Sequence, residues 1–541
     1  QRSRPVKRIA DVRNLRATQF VEDSGPLAHP VRPQMYKEIN NFYTTTIYEK
    51  GAEVVRMVHT LIGPEKFRAG MDLYFERHDG HAATVDQFIQ CFADVSHRDM
   101  TQFMRWYSQA GTPEVAVTTR YEAARKTYTV ECKQHIAPTP NQPTKEPMVI
   151  PLSFGLVGKD GRDLPLTPTK GEHIERGVLV LSEPAHAYEF TGIAERPVLS
   201  INRGFSAPIK LTSDVSADDL GFLAAHDNDP FNRWQSLQTV STRLLIDNVA
   251  ALRAGKTTLS DDQLIAALAA ILDDQKLEPA FVALALVPPG EGDIAREIGK
   301  DIDPDAIFNA RKTLRADIGD QLGPALVSAC DRLAVPGPYS PDAASAGKRA
   351  LRNVALDLLA AGAKPDAIAR AAQQYGAADN MTDRFAALGV LAQHDVPERD
   401  PAIADFYTRY STDALVIDKW FALQAAIPEA DTLDKVRALT AHPAFSFANP
   451  NRIRSLIGAF AQGNPAQFNR ADGKGYDFLA EIVLALDAKN PQVSARMATA
   501  FRTWRILERV RRGKAEEALK RIKAAPNLSR DLTDIVERAL G

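Results

Sequence analysis

The segment Tyr48-Glu49-Lys50-Gly51-Ala52-Glu53-Val54-Val55-Arg56-Met57-Val58-His59-Thr60-Leu61-Ile62 places apolar residues at 54, 57, 58 and 61. That is the i, i+3, i+4, i+7 spacing of a helix with one buried face. Gly63-Pro64 stops this helix and starts another, whose stripe is Phe67, Met71 and Tyr74. Thr84, followed three residues later by Gln87, forms a capping box ahead of Val85, Phe88, Ile89 and Phe92. A fourth stripe, Met100, Phe103, Met104 and Tyr107, leads to Gly111-Thr112-Pro113, where a helical region 1–111 ends.

The period then changes from 3.6 to 2. Tyr128, Val130 and Cys132 alternate with polar neighbours, as do Met148, Ile150, Leu152, Phe154 and Leu156. Asp160-Gly161 is a hairpin turn signal, and further short strands are expected near 178–181, 188–190 and 198–201. Prolines 138, 140, 143, 147 and 151 mark a loop or an edge, since proline cannot serve a central ladder. Residues 112–213 thus read as a small β-sandwich of Ig-like type. From 214 to 541 the pattern is helical throughout, with caps expected at Ser216 (with Asp219) and Ser260 (with Gln263). Ala-rich amphipathic segments such as Leu264, Leu268, Ile271 and Leu272 follow one another without a strict repeat, which describes an irregular α-solenoid of HEAT/ARM type. The fold class is multidomain and mainly α, with a β-sandwich between two helical regions.

Composition sets the frame for function. Of 541 residues, 45% are hydrophobic and 25% charged, as in ordinary soluble globular proteins, and the apolar fraction excludes disorder as the main state. Apolar runs such as 281–287 fall far short of the roughly 18–20 residues of a spanning helix. A net charge of −2 gives no global attraction to nucleic acid or acidic lipid, so neither is expected as a partner. Two basic stretches, one around Arg2, Arg4, Lys7, Arg8, Arg13 and Arg16 and one over 505–523, read as solvated helix faces. Three scattered cysteines, Cys91, Cys132 and Cys330, suit buried free thiols, and a cytoplasmic location is expected. His78 and His81 flank an Asp-Gly turn without a third ligand, His59 reads as a core or boundary residue, and no H-E-x-x-H, nucleotide loop or nucleophile elbow is present. No metal-ligand set is therefore assigned to this chain.

One stretch stands out chemically. In Asn40-Asn41-Phe42-Tyr43-Thr44-Thr45-Thr46-Ile47-Tyr48-Glu49-Lys50, two tyrosines and a carboxylate precede a helix, and a phenol at a helix start can donate to an oxyanion. Tyr48-Glu49-Lys50-Gly51-Ala52-Glu53-Val54-Val55 resembles the tyrosine motif of zinc aminopeptidases of the aminopeptidase N family. Phe20-Val21-Glu22-Asp23, Ala28-His29-Pro30-Val31-Arg32-Pro33, Asp418-Lys419-Trp420-Phe421 and Asn449-Pro450-Asn451-Arg452-Ile453-Arg454-Ser455-Leu456-Ile457 resemble its bacterial form in the same order.

The resemblance implies that 1–111 is the rear helical part of a thermolysin-like catalytic domain, followed by the two C-terminal domains of the same enzyme. It implies that Tyr48 donates to the oxyanion of the tetrahedral intermediate, opposite zinc. Asn40 and Tyr43 would line the pocket for the substrate's first side chain, Glu49 would border the next subsite, and Gln492 would reach the first pocket. Arg454 and Arg496 would face an interior cavity and contact substrate. The family's H-E-x-x-H and G-[AG]-M-E-N motifs are absent, and the chain opens on Gln1 instead of Met. The expectation is a C-terminal portion whose N-terminal partner segment, zinc and general base lie elsewhere. Such a chain alone would bind no zinc and be inactive, while the intact enzyme would be a monomer that trims peptide substrates. The competing expectation is a non-catalytic α-solenoid that binds peptides or proteins.

Overall fold

Helix α1 (Arg4–Asp23) opens with a proline in its first turn, where the missing N–H has no helical partner to lose, and buries Ile9, Val12, Leu15 and Phe20. The computed structural model describes residues 3–25, 28–34, 42–167, 174 and 176–541. Asn40 lies outside the described residues. Two units divide the chain, Arg2–Val240 and Ser241–Gly541.

In the first unit, α2 (Gly51–Ile62) buries Val54, Met57, Val58 and Leu61, the stripe expected from spacing, and ends at Gly63 with φ +83°. That left-handed backbone strains a side chain, which is why a glycine stops the helix. Its stripe also extends back to a charged residue, Lys50, treated below. Helix α3 (Pro64–His78) buries only Gly70, and a Cβ there would collide with the Phe92 ring of α4 (Val85–Ser96). The missing side chain lets the two helices lie close. The capping box of Thr84 and Gln87 on α4 is present. The fourth stripe is helical only in α5 (Arg105–Ser108), preceded by turns; Met100, Phe103 and Tyr107 are buried as expected, Met104 is half-buried, and Trp106, outside the stripe, is buried too. His59 is exposed and meets Phe67 edge-on, 5.1 Å between ring centroids.

Seven strands follow among the described residues: β1 (Glu114–Glu122), β2 (Thr127–His135), β3 (Ile150–Val157), β4 (Val178–Leu181), β5 (Ala185–Phe190), β6 (Val198–Ile201) and β7 (Lys210–Ser213). They form two sheets, ordered β5-β2-β1-β7 and β4-β3-β6, with β1 and β7 parallel and the other pairs antiparallel. Val117, Val130, Cys132, Leu152, Phe154, Leu179 and Phe190 fill the core. Alternation did not reveal β1 and β7, because β1 buries only Val115 and Val117 before turning polar and β7 offers one apolar residue. Asp160-Gly161 makes a turn but no two-strand hairpin; the chain returns only as an isolated bridge between Val157 and Asp163. Helix α6 (Ala217–His226) is capped by Ser216, and the division between units falls inside α7 (Pro230–Arg253).

The second unit is a succession of helices from Asp262–Asp273 to Arg530–Leu540. The first is capped by Asp261 and not by Ser260, one residue later than expected, because the Asp261 carboxylate accepts the Leu264 N–H. Gly319 permits a close helix approach: a Cβ there would overlap the Leu358 carbonyl of the neighbouring helix Ala343–Ala360. No helix among the described residues is long and apolar enough to cross a membrane.

Both basic stretches contain a residue that contradicts a purely solvated face. Arg8 is buried, makes two 2.5 Å hydrogen bonds to the Glu53 carboxylate and donates to the Gly204 and Phe205 carbonyls, each at 2.9 Å. Arg511 is buried too, donating to the Asn469 carbonyl at 2.6 Å and to the Asp305 carboxylate. Planar guanidinium with several acceptors can be buried where lysine would be left with unmet donors.

Candidate functional site

Tyr48 sits in the middle of a π-helical turn, Thr46–Lys50, that runs directly into α2. Tyr48 is 60% exposed and Tyr43 62% exposed, with ring centroids 6.4 Å apart and planes 32° from parallel. Phe42 packs edge-on against Tyr43 at 5.8 Å. Glu49, beside Tyr48, is half-buried. The Tyr48 N–H donates to the Thr44 carbonyl at 3.2 Å, so the backbone here is committed and the phenol is what remains free for chemistry.

Below this turn the charges are dense. Glu22 accepts from the Thr45 hydroxyl at 2.7 Å, the Thr46 hydroxyl at 2.7 Å and the Thr46 N–H at 3.2 Å. His29 Nε2 lies 3.2 Å from the same carboxylate. Burial works against ionisation of Glu22, yet hydrogen bonds from His29, Thr46 and Thr45 outweigh it and lower its pKa to about 2. His29 is raised above its ordinary value, chiefly by the hydrogen bond to Glu22. The next residue, Asp23, pairs with Lys50 at 2.9 Å, both side chains 1% exposed. Burial raises the Asp23 pKa and the Lys50 charge overcomes it, leaving the group below its usual value.

The second unit holds the other expected residues. Gln492 and Arg496 are exposed, four residues apart on helix Pro491–Ala498, hence on one face. Arg454 is exposed and begins another π-helical turn, Arg454–Gly458, where its guanidinium donates to the Asn451 side chain. A Cβ on Gly458 would sit 3.7 Å from Met497, so this turn lies against the helix of Gln492 and Arg496. Both π turns carry a residue singled out from the sequence, in keeping with the frequent use of this geometry at functional sites. Neither turn has a sequence signature that spacing rules detect.

Among the described residues, no group of three or more His, Cys, Asp or Glu side chains could hold a metal ion. At His78 and His81 the chain makes a turn, with the His81 N–H donating to the His78 carbonyl at 3.1 Å. The described His, Cys, Asp and Glu side chains do not assemble the three-ligand set of a zinc centre.

The residues missed by sequence reasoning are Glu22, Asp23, His29 and Lys50. A signal was available: Gln19 and Asp23 occupy buried positions of α1, and Lys50 precedes Val54, Met57, Val58 and Leu61 on the same helical face.

Comparison with known proteins accords with this architecture. Residues 5–107 match the peptidase family M1 domain, residues 111–214 a domain of unknown function with an Ig-like fold (DUF3458), and residues 217–541 a domain of unknown function built of ARM repeats (DUF3458_C). The chain belongs to this ARM-repeat family and carries the three matched regions in this order. It is 43% identical to aminopeptidase N of Caulobacter vibrioides over 541 residues, and 40% identical to that of Escherichia coli over 538 residues. These alignments cover 100% and 99% of this chain but 61% of each relative, so the chain spans about three-fifths of their length. A crystal structure of Legionella pneumophila aminopeptidase A in complex with aspartic acid superposes with a TM-score of 0.82 at 25% identity, covering 94% of this chain and 58% of that one.

Proposed function

We propose that this chain is the C-terminal part of a cytoplasmic, monomeric, zinc-dependent aminopeptidase that removes amino-terminal residues from peptides. The observation that supports it most is the similarity to aminopeptidase N along the whole chain, with Tyr48 displayed on a turn that the interior holds. Zinc, its ligands and the general base belong to the additional length of the relatives, and this chain alone binds no zinc and is inactive. Within it Tyr48 is the catalytic residue. Phenol stays protonated at neutral pH, and a donor aimed at a developing oxyanion stabilises the transition state more than the ground state. Asn40, Tyr43 and Glu49 contact the substrate in the first unit, and Gln492, Arg454 and Arg496 are substrate-binding residues of the second.

The test uses the polypeptide extended to the full length of its relatives and assayed on aminoacyl-anilides. Tyr48→Phe removes one hydroxyl and keeps the ring. Its kcat and kcat/KM should fall together by on the order of 10²–10³, about 3–4 kcal/mol, with KM little changed. Tyr43→Phe should act on KM and side-chain preference instead. Near-normal kcat in Tyr48→Phe would remove the catalytic assignment, and absence of peptidase activity from the unmodified full-length polypeptide would favour the interaction-module reading.

A further inference from the structure

A lysine on the core stripe of a helix needs a reason, because burying an ammonium is unfavourable unless its donors are met. Lys50 meets two acceptors, Asp23 Oδ2 at 2.9 Å and the Gly111 carbonyl at 2.8 Å. The Thr112 hydroxyl donates to the same Asp23 oxygen at 2.8 Å. Three separate segments thus converge on one carboxylate oxygen: the end of α1, the π turn, and the linker that enters β1. The linker is held from its other side as well. Lys145 Nζ donates to the Ala110 carbonyl at 2.9 Å and to the Gln142 side chain at 2.9 Å, while Gln142 Oε1 accepts the Ala110 N–H at 2.8 Å.

Glu22 grips the beginning of the π turn through Thr45 and Thr46, and Asp23 grips its end through Lys50. Only Ile47, Tyr48 and Glu49 lie between the two grips. A widened turn is less favourable than continuous α-helix and persists where tertiary contacts over-determine it. A pair of well-packed apolar side chains would serve stability as well as a buried ion pair does. What such residues lack is direction: an ammonium with two fixed acceptors sets the position of the helix backbone, and a methyl group does not.

From this we propose that Asp23 and Lys50 are positioning residues that set where Tyr48 presents its hydroxyl, acting through the π turn and never touching substrate. The proposal rests on the reading of Tyr48 as the oxyanion donor. Their role is geometric, and it links the aim of the tyrosine to the seating of the helical region on the β-sandwich through Gly111 and Thr112.

The experiment has two arms. In the chain as it stands, residue 48 is replaced by 3-fluorotyrosine and its 19F resonance is recorded. In the full-length polypeptide, steady-state kinetics are measured on an aminoacyl-anilide. The variants are Lys50→Met/Asp23→Leu, which removes both charges and leaves none unpaired, and Thr112→Val, which removes one hydrogen bond. Arg203→Met is the control: it breaks another buried pair of the same unit, with Asp227. The double variant should broaden or split the resonance of residue 48, and lower kcat by about 10–100-fold with KM little changed, as expected for a misplaced catalytic group. Thr112→Val should move both readouts in the same direction by less, and it serves as the test should the double variant fail to fold. Arg203→Met should lower the melting temperature and leave the resonance alone.

An unchanged resonance in a folded double variant overturns the proposal, and so does an equal change in Arg203→Met. A changed resonance in a protein whose unmodified full-length form has no peptidase activity upholds the positioning and refutes the enzymatic reading, so the two failures are distinguishable.

Discussion

The two units use charged side chains differently, burying them in the first and leaving most of the pairing partners near solvent in the second. In Arg2–Val240, buried cations join segments far apart in sequence by binding backbone carbonyls as well as carboxylates: Lys50 reaches Asp23 and the Gly111 carbonyl, 27 and 61 residues away, and Arg8 reaches the Gly204 carbonyl, 196 residues away. In Ser241–Gly541 the pairs are either local or join neighbouring repeats: Arg370 with Asp331 at a separation of 39, Arg315 with Asp357 at 42, Arg437 with Glu481 at 44. The first pattern ties a unit together at a few points, so that losing one point is felt throughout. The second stitches each repeat to the next, the quasi-one-dimensional arrangement in which damage stays local. Arg511 breaks the second pattern: it pairs with Asp305, 206 residues away, and with Asp303, and the adjacent Ile302 and Leu507 form a β-bridge.

The largest effect should come from Lys50→Met. It leaves the Asp23 carboxylate buried without its counter-charge, and a loss of about 3–5 kcal/mol is expected in chemical denaturation. The loss should appear as weaker amide protection in both the helices and the sandwich of the first unit. Protection lost only around Lys50 would break the comparison.

Arg511→Met comes next, at about 1.5–3 kcal/mol, since hydrogen bonds of a charged group are lost while Asp305 can still reach water. If this contact couples distant repeats, hydrogen exchange should rise near both 302–305 and 507–511. A rise confined to the later segment would return the second unit to a purely local description.

Histidines sharpen the contrast through pH. The folded-state pKa of His29 is raised by its bond to Glu22, so its contribution to stability is complete below the unfolded value of about 6.5 and is lost as pH climbs through the folded value. His442 is lowered by burial among Tyr407, Trp420 and Phe421, and its Nδ1 accepts the Ala444 N–H. Its contribution is therefore present above about 6.5 and is lost as pH falls through the lowered value. Urea midpoints followed across this range should lose alkaline sensitivity in His29→Gln and acid sensitivity in His442→Gln. The same slope in both variants would contradict the assigned environments.

The smallest effect is expected at Arg437, paired with Glu481 at 2.8 Å with side chains 42% and 58% exposed. Arg437→Ala should cost no more than about 1 kcal/mol, because solvent screens such a pair. A larger loss would trace to its guanidinium packed over the Phe478 ring, 4.8 Å from the centroid.

Much of the architecture was determined by local sequence. The stripe of Val54, Met57, Val58 and Leu61, the stop at Gly63-Pro64, the capping box at Thr84 and the strand through Ile150, Leu152, Phe154 and Leu156, which is buried on both faces instead of one, each encode structure within a few residues. Side-chain periodicity and backbone capping are local properties, so they are legible without the fold. Strands β1 and β7 were not, because their place comes from pairing with each other and with β2, far apart in sequence. The prominence of Tyr48 was legible in a motif, but the π turn that carries it, the grip of Glu22 and Asp23 on that turn, and the burial of Arg8 and Lys50 were decided only by tertiary structure. The physical reason is desolvation: a charge on a helix face reads as solvated until distant segments close over it, and only their carbonyls and carboxylates make its burial tolerable.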